Sequence, residues 1–491
     1  MEKTVFLGID IGTSGVKAVI ATASGQIVES ATTPLSVSRP KPLWSEQDPM
    51  DWWQATAAAV KQFSTEARAG VQAISLSGQM HGATLLDRDH KPLRPAILWN
   101  DGRSFAECER LQETCPDFLT KGGNLVMPGF TAPKLEWVRQ HEPDVFAQID
   151  KVLLPKDYVR LRMTGEFASD MSDSAGTLWM DVAQRDWHDP LLAACGLSRA
   201  HMPDLYEGTS QTGTLRAAIA ADWGMARVPV FAGGGDNAAG AVAVGVANAG
   251  QTLLSLGTSG VIFTVSETYR SNPQSAVHAF CHAVPDRWHL MSVMLSAASC
   301  LDWACRITQS ASVDAMIHAA EVDGRDDSEI YFAPYLSGER TPHNDPTLQG
   351  ALFGLTHSAG VGDIARAVLE GVAFGLADGF AALLAAGAQM DQLSVVGGGA
   401  RSRFWGKIIA SALERPLIYH DGADVGPALG AARLAALGTG ALDLKAGLST
   451  PPVLYEIEPD PDWVSLFRRK RAVFKQLYTR TRPINPGEPN G

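Results

Sequence analysis

VFLGIDIGTSGVKAVI at residues 5–20 and QTLLSLGTSGVIFTVS at residues 251–266 share the pentapeptide GTSGV, whose copies begin at Gly12 and Gly257. Each stretch reads as an apolar strand, a glycine-bounded tight turn and a second β-branched strand, the pattern of a hairpin that approaches a ligand closely. The copies stand 245 positions apart in a chain of 491, so they divide it at its midpoint into residues 1–245 and 246–491. A five-residue match alone is weak. Its placement at half-length, in the same strand-turn-strand context, makes an internal duplication the better reading.

Working outward from the hairpins, apolar strands alternate with helical patterns: VQAISLSGQ (71–79), AVKQF (59–63), VPVFAGGGD (228–236), DIARAVLEGVAFGLADGF (363–380) and QLSVVGGGARSRFWGKIIASAL (392–413). That alternation predicts α/β domains. Two similar domains meeting at a cleft offer a natural nucleotide or substrate site, because ligands favour interdomain crevices lined by strand ends. The most apolar long stretch, Ala367 to Met390, contains Glu370 and Asp378 and so predicts a buried helix rather than a bilayer span. The Pro-rich, polar C-terminal end predicts fraying over the last ten residues.

Composition narrows the partners. With 53 acids against 41 Lys and Arg, the net charge of -12 repels phosphate backbones and anionic lipid, so neither nucleic acid nor a membrane surface is expected. A polyphosphate ligand would need local help from Mg2+, a Lys or backbone amides. The six cysteines form no C-x-x-C pair and have no His at zinc-ligand spacing, which reads as reduced thiols in a cytoplasmic protein. MEKTVFLGIDIG meets Asp10 after a short apolar run and shows no cleavage signature, so no signal peptide is expected.

Four motifs could carry chemistry. In the first hairpin, Asp10 at a strand end precedes Gly12, Thr13 and Ser14, and Lys17 follows. A carboxylate there can hold Mg2+ through waters while Gly and Thr amides cradle phosphate oxygens. Ser255 stands at the position matching Asp10 in the second copy, so one half alone would hold the metal. The turn at Gly257 and Thr258 would then face the phosphates from the other side. Two purely structural hairpins are the competing reading. Gly233-Gly234-Gly235-Asp236-Asn237 leads into a small-residue helix, with Asp236 at its mouth as general base or as N-cap. Gly397-Gly398-Gly399-Ala400 repeats the construction without an acid and is a candidate adenosine turn, or a packing turn.

Ser77-Gly78-Gln79-Met80-His81-Gly82 ends a strand with an amide, an imidazole and no net charge. Trp99-Asn100-Asp101-Gly102-Arg103 adds an aromatic face and further polar groups. Such a set suits a neutral polyhydroxylated ligand, which needs directional hydrogen bonds rather than ionic attraction. His81 could equally be a structural histidine, and Asp101 with Arg103 a surface ion pair.

Together with PLWSEQDPMDWW, PGFTAPKLEWV, LLPKDYVRLRMTGE, PYLSGERTPH and ARAVLEGV, these motifs make the chain resemble, almost end to end, the FGGY carbohydrate kinases of the sugar-kinase, Hsp70 and actin superfamily. The resemblance implies two duplicated actin-like (ribonuclease H-like) domains around a central cleft. Residues 1–245 would bind sugar and carry catalysis, and residues 246–491 would bind ATP. It implies transfer of the γ-phosphoryl group of ATP to the terminal hydroxyl of a ketose, QMHG and WNDGR beside GGGDN pointing to D-xylulose. On this resemblance Asp236 matches the catalytic base and Asp10 the Mg2+-holding acid. Met80 and His81 match ketose contacts, with Gln79, Trp99, Asn100 and Asp101 beside them. Gly12, Thr13, Ser14, Lys17, Gly257, Thr258, Gly398, Gly399 and Ala400 match ATP-contacting turns. A homodimer is implied as well. Rival readings are a kinase for ribulose, gluconate or glycerol, a non-kinase ATPase of the actin or Hsp70 type, and an inactive sugar sensor.

Overall fold

A computed structural model describes residues 4–420 and 426–481. The predicted fraying of the last ten residues lies outside the described residues. Numbering only the strands of the two large sheets, the first contains β1 (Val5–Ile11), β2 (Gly15–Thr22), β3 (Ile27–Pro34), β4 (Val71–Gly78), β5 (Gln211–Thr214) and β6 (Pro229–Gly235), in the order β5-β6-β4-β1-β2-β3. The second contains β7 (Thr252–Leu256), β8 (Gly260–Ser266), β9 (His278–Cys281), β10 (Trp288–Met294), β11 (Leu393–Val396), β12 (Leu417–His420) and β13 (Val453–Ile457), in the order β9-β10-β8-β7-β11-β12-β13.

The duplication read from GTSGV extends to topology. In the first sheet β1 pairs antiparallel with β2, β2 antiparallel with β3, β1 parallel with β4 and β4 parallel with β6. In the second, β7, β8, β10, β11 and β12 take the same five places with the same directions. Strands buried on both faces read as unbroken apolar runs. β1 follows that rule until Asp10, the one residue of the strand that is not fully buried.

The helices that matter for the site are α1 (Pro49–Lys61), α2 (Thr131–His141), α3 (Pro155–Thr164), α4 (Asp236–Ala243), α5 (Val361–Ala385), α6 (Arg403–Leu413), α7 (Gly426–Gly438) and α8 (Pro461–Thr481). α5 is the predicted buried helix, begun earlier and ended sooner than the hydropathy run. Most of its apolar length is covered by protein. Its acids are tolerated because each finds a cation: Glu370 pairs with Arg366 at 2.7 Å and with Lys470 of α8, and Asp378 pairs with Arg471 at 3.1 Å.

α7 belongs by sequence to the second half but packs on the first sheet, its Ala428, Leu429, Ala432 and Ala435 meeting Phe6 of β1, Val19 of β2 and Ala73 of β4. It also crosses α4 so closely that a Cβ placed on Gly430 would lie 1.8 Å from the Ala239 carbonyl oxygen. A further apolar cluster joins the halves beneath the cleft, Met80 and Phe130 packing with Phe263, Phe280 and Met291.

Candidate active site

Asp10, next to last in β1, stands opposite Lys17 of β2 on one side and Ser77 of β4 on the other, so the ladder sets all three together. The Ser77 hydroxyl donates to Asp10 Oδ1 at 3.1 Å. Asp236 arrives at the same crevice from β6. The glycines before it are not an open turn, as the sequence suggested: they continue the strand through a register shift between Phe231 and Gly234. Gly233 lies at φ +80°, and a Cβ there would fall 1.7 Å from the Leu76 carbonyl oxygen of β4, an approach that glycine alone permits. Gly235 is the N-cap of α4 and Asp236 its first residue, so the carboxylate does not cap the helix. Its Oδ1 accepts from the Asn237 backbone N at 2.7 Å and from Asn237 Nδ2 at 2.9 Å.

Both acids are half-buried, surrounded by protein yet still reached by solvent. Burial raises Asp10 to about 7, and the negative charge of Asp236 adds to the rise against the Ser77 bond and the Lys17 charge. Burial likewise raises Asp236 to about 6, opposed by its bonds from Asn237. The charge of Asp236 thus reaches Asp10 from 226 positions away in sequence.

The first hairpin is braced from behind. Thr13 Oγ1 donates to Gln79 Oε1 at 2.9 Å, Gln79 Nε2 donates to Gln47 Oε1 at 2.9 Å, and Gln47 Nε2 returns to the Thr13 carbonyl at 2.8 Å. Trp52 Nε1 of α1 donates to the same Gln47 Oε1 at 3.0 Å. Gln79, expected among the ketose contacts, is therefore 2% exposed and has both ends of its amide engaged, so it holds the hairpin rather than facing a ligand. Asp101 is corrected too. It accepts from the Ser45 N at 2.6 Å and from Arg103 at 2.7 and 2.9 Å, a buried pair rather than a surface one. Asn100 is exposed and, with Asp101, lines an adjoining cavity of about 630 Å³ that shares Trp99 with the inner one.

Met80, His81, Trp99 and Asp236 line one inner cavity of about 230 Å³. Trp99 is 46% exposed and donates from Nε1 to Thr13 Oγ1 at 3.0 Å, which ties the cavity wall to the hairpin. The His81 ring lies 2.7 Å from the Gly176 carbonyl through Nδ1. A carbonyl only accepts, so Nδ1 carries the proton. Burial and the nearby Lys134 charge lower the ring to about 3, which keeps it neutral and leaves Nε2 an acceptor suited to a hydroxyl.

The opposite wall comes from the second half. Ser259, Val261, His278, Phe280 and Arg340 line the same cavity, and Arg340 Nη1 lies 3.4 Å from His278 Nε2. Apart from Ser259 of the second GTSGV turn, sequence reasoning missed these residues. Arg340 stands within PYLSGERTPH, which carried the resemblance without a role being read from it, and His278 belongs to no repeat.

The remaining nucleotide candidates lie at the two hairpin tips and in the turn after β11. Thr258 and Ser14 are exposed at the two hairpin tips, and Ser259 carries the second tip into the inner cavity. Gly397–Gly399 follow β11, the parallel neighbour of β7, so this turn and the Gly257 hairpin end side by side. A Cβ on Gly399 would touch Leu256, whereas one on Gly398 meets nothing within 4 Å, leaving that position open to a ligand. The backbone of Ala400 continues this turn.

Two like-wound halves, two converging acids and a polar-tipped cavity between them are the arrangement of a sugar-phosphorylating enzyme. The chain belongs to the FGGY family of carbohydrate kinases: residues 5–243 match the family's N-terminal domain and residues 252–439 its C-terminal domain. It is 55% identical to the xylulose kinase of Escherichia coli K12 over 98% of this chain and all of that one, and 35% identical to that of Bacillus subtilis 168 over 98% and 97%. A crystal structure described as a xyloylose kinase from Brucella ovis superposes with a TM-score of 0.94 at 45% identity, covering 98% of this chain and 100% of the other. The fold is accordingly the duplicated actin-like one of the sugar kinases.

Proposed function

We propose that the protein phosphorylates D-xylulose at its terminal hydroxyl with ATP, giving xylulose 5-phosphate and ADP. The observation that carries this reading is Asp236 on the wall of the inner cavity, within electrostatic reach of Asp10. Kinship with xylulose kinases supports the choice of sugar.

In this reading the ketose lies mainly on residues 1–245 and the nucleotide mainly on residues 246–491. His81 Nε2 accepts from one sugar hydroxyl and Asp236 from the hydroxyl that attacks the γ-phosphate, orienting it and taking its proton. Arg340 and Asn237 are donors for the remaining sugar oxygens. Met80, Val261, Phe280 and Met291 keep water out of the cavity, which limits wasteful hydrolysis of ATP. Gly12, Thr13, Gly257 and Thr258 present backbone and hydroxyl groups to the phosphates, and Gly398 and Gly399 flank the adenosine.

Among the described residues no three His, Cys, Asp or Glu side chains gather as a metal cage. Asp10 with Asp236 nearby suits Mg2+ arriving with the nucleotide, because that ion keeps several waters and takes one or two carboxylates. When bound, Mg2+ neutralises charge on the phosphates. Asp10 would hold it, with Lys17 beside the same carboxylate. A homodimer and a cytoplasmic location complete the proposal, the latter in keeping with six cysteines that are all free.

The test is ATP consumption across D-xylulose, D-ribulose, gluconate and glycerol. D-xylulose is expected to exceed the others in kcat/KM by roughly tenfold or more. Equal ATP turnover with and without sugar would sink the kinase reading, and a preference for another sugar would move the substrate.

The pH profile follows from Asp236. Its folded pKa is raised, and a base works when deprotonated, so activity is present above that value and lost below it. Measured at saturating Mg2+ and ATP, which hold Asp10 ionised, the kcat/KM for ketose is expected to fall with unit slope as pH drops below about 6. A profile flat down to pH of about 5 would separate the rate from this carboxylate.

A further inference from the structure

Lys134 in the first turns of α2 is fully buried, and none of the described carboxylates pairs with it. The contrast with Lys156 of α3 is sharp: that lysine is equally buried but sits among Asp157, Asp170 and Asp173 at 2.6 to 3.0 Å. Lys134 Nζ instead donates to two backbone carbonyls, those of His81 at 2.9 Å and Gly129 at 2.8 Å. Burial pushes its ammonium well below the usual lysine range. These two carbonyls are the acceptors for its N–H donors.

Both acceptors belong to cavity walls. His81 lines the inner cavity from the end of β4, and Gly129 with Phe130 lines it from the loop before α2. His81 also sits at φ +70°, a left-handed conformation unfavourable for a residue with a side chain. It persists because the residue is held at both ends, the ring by the Gly176 carbonyl and the backbone by Lys134 together with Thr131 Oγ1 at 3.2 Å.

We propose that Lys134 is a positioning residue for the sugar site, tying the His81 segment to the Gly129–Phe130 wall so that His81 Nε2 meets the sugar at a fixed distance from Asp236. This inference rests on the sugar-kinase reading above. It assigns Lys134 no contact with substrate; its effect passes through His81.

The experiment compares Lys134→Met, which keeps length and removes the donors, with the parent protein on whichever sugar of the panel the parent turns over best. A wrong sugar identity therefore leaves this test intact, whereas a parent with no sugar-dependent turnover overturns both readings. Lys134→Met is expected to lose roughly 10- to 100-fold in kcat/KM for sugar, mostly through KM. The KM for ATP should stay within about twofold. In a His81→Ala background, Lys134→Met should cost nothing further. Should Lys134→Met fail to fold, Thr131→Val removes one donor from the same carbonyl and should raise the sugar KM in the same selective way. An unchanged sugar KM, an equal loss in sugar and nucleotide parameters, or an undiminished loss in the His81→Ala background overturns the proposal.

Discussion

Asp236→Asn is expected to lower kcat by roughly 100-fold or more while leaving the fold and the KM for ATP nearly unchanged. Asparagine keeps an oxygen for the two Asn237 donors, so the start of α4 is preserved and only the proton acceptor is lost. Phosphoryl transfer depends more on positioning and charge neutralisation than on a strong base, which sets the expectation at the lower end of what general-base removal costs. The substitution also removes the negative charge that helps raise Asp10, so the Asp10 pKa should fall from its value of about 7. Steady-state kinetics together with a titration of the variant check both. Near-normal turnover in the variant would remove Asp236 from the mechanism.

The second large effect is expected at a helix crossing behind the site. Gly430→Val places a branched side chain where α7 crosses α4, with the Cβ 1.8 Å from the Ala239 carbonyl oxygen and 2.5 Å from its carbon. Both obstacles are backbone, so no rotamer relieves the clash and the helices must part. A loss of about 3 kcal/mol in stability is expected, the upper part of the usual range for overpacking. Because Asp236 is the first residue of α4, the displacement reaches the site. A shift of about 1 Å there is enough to lower kcat/KM by roughly 100-fold. Denaturant unfolding and kinetics on the soluble fraction measure the two losses. A Gly430→Val protein as stable and active as its parent would show that the crossing is looser than described.

How far the site could be read from sequence varied with the competition each side chain faced. Asp10, Met80, His81 and Asp236 stand at strand ends, where the chain leaves the sheet and few neighbours compete for a polar group, and strand-end position is visible in the pattern itself. Gln79 stands immediately before Met80, yet its amide is taken by Thr13 and Gln47. Asp101 is likewise taken by Arg103 and the Ser45 amide. Arg340 and His278 were hidden for the opposite reason: nothing local marks them, and they gain meaning because the second sheet carries them against the first.

By itself the amino-acid order determined the two hairpins, their equivalence 245 positions apart and the alternation of strands and helices, since each depends on side-chain period and turn chemistry within a short stretch. The tertiary structure alone decided that α7 crosses to the first sheet, that Lys134 reaches the His81 and Gly129 carbonyls, and that Asp10 and Asp236 share one field. Those outcomes depend on which buried polar group finds which partner across distant segments. That competition is settled by packing after the local pattern has been satisfied.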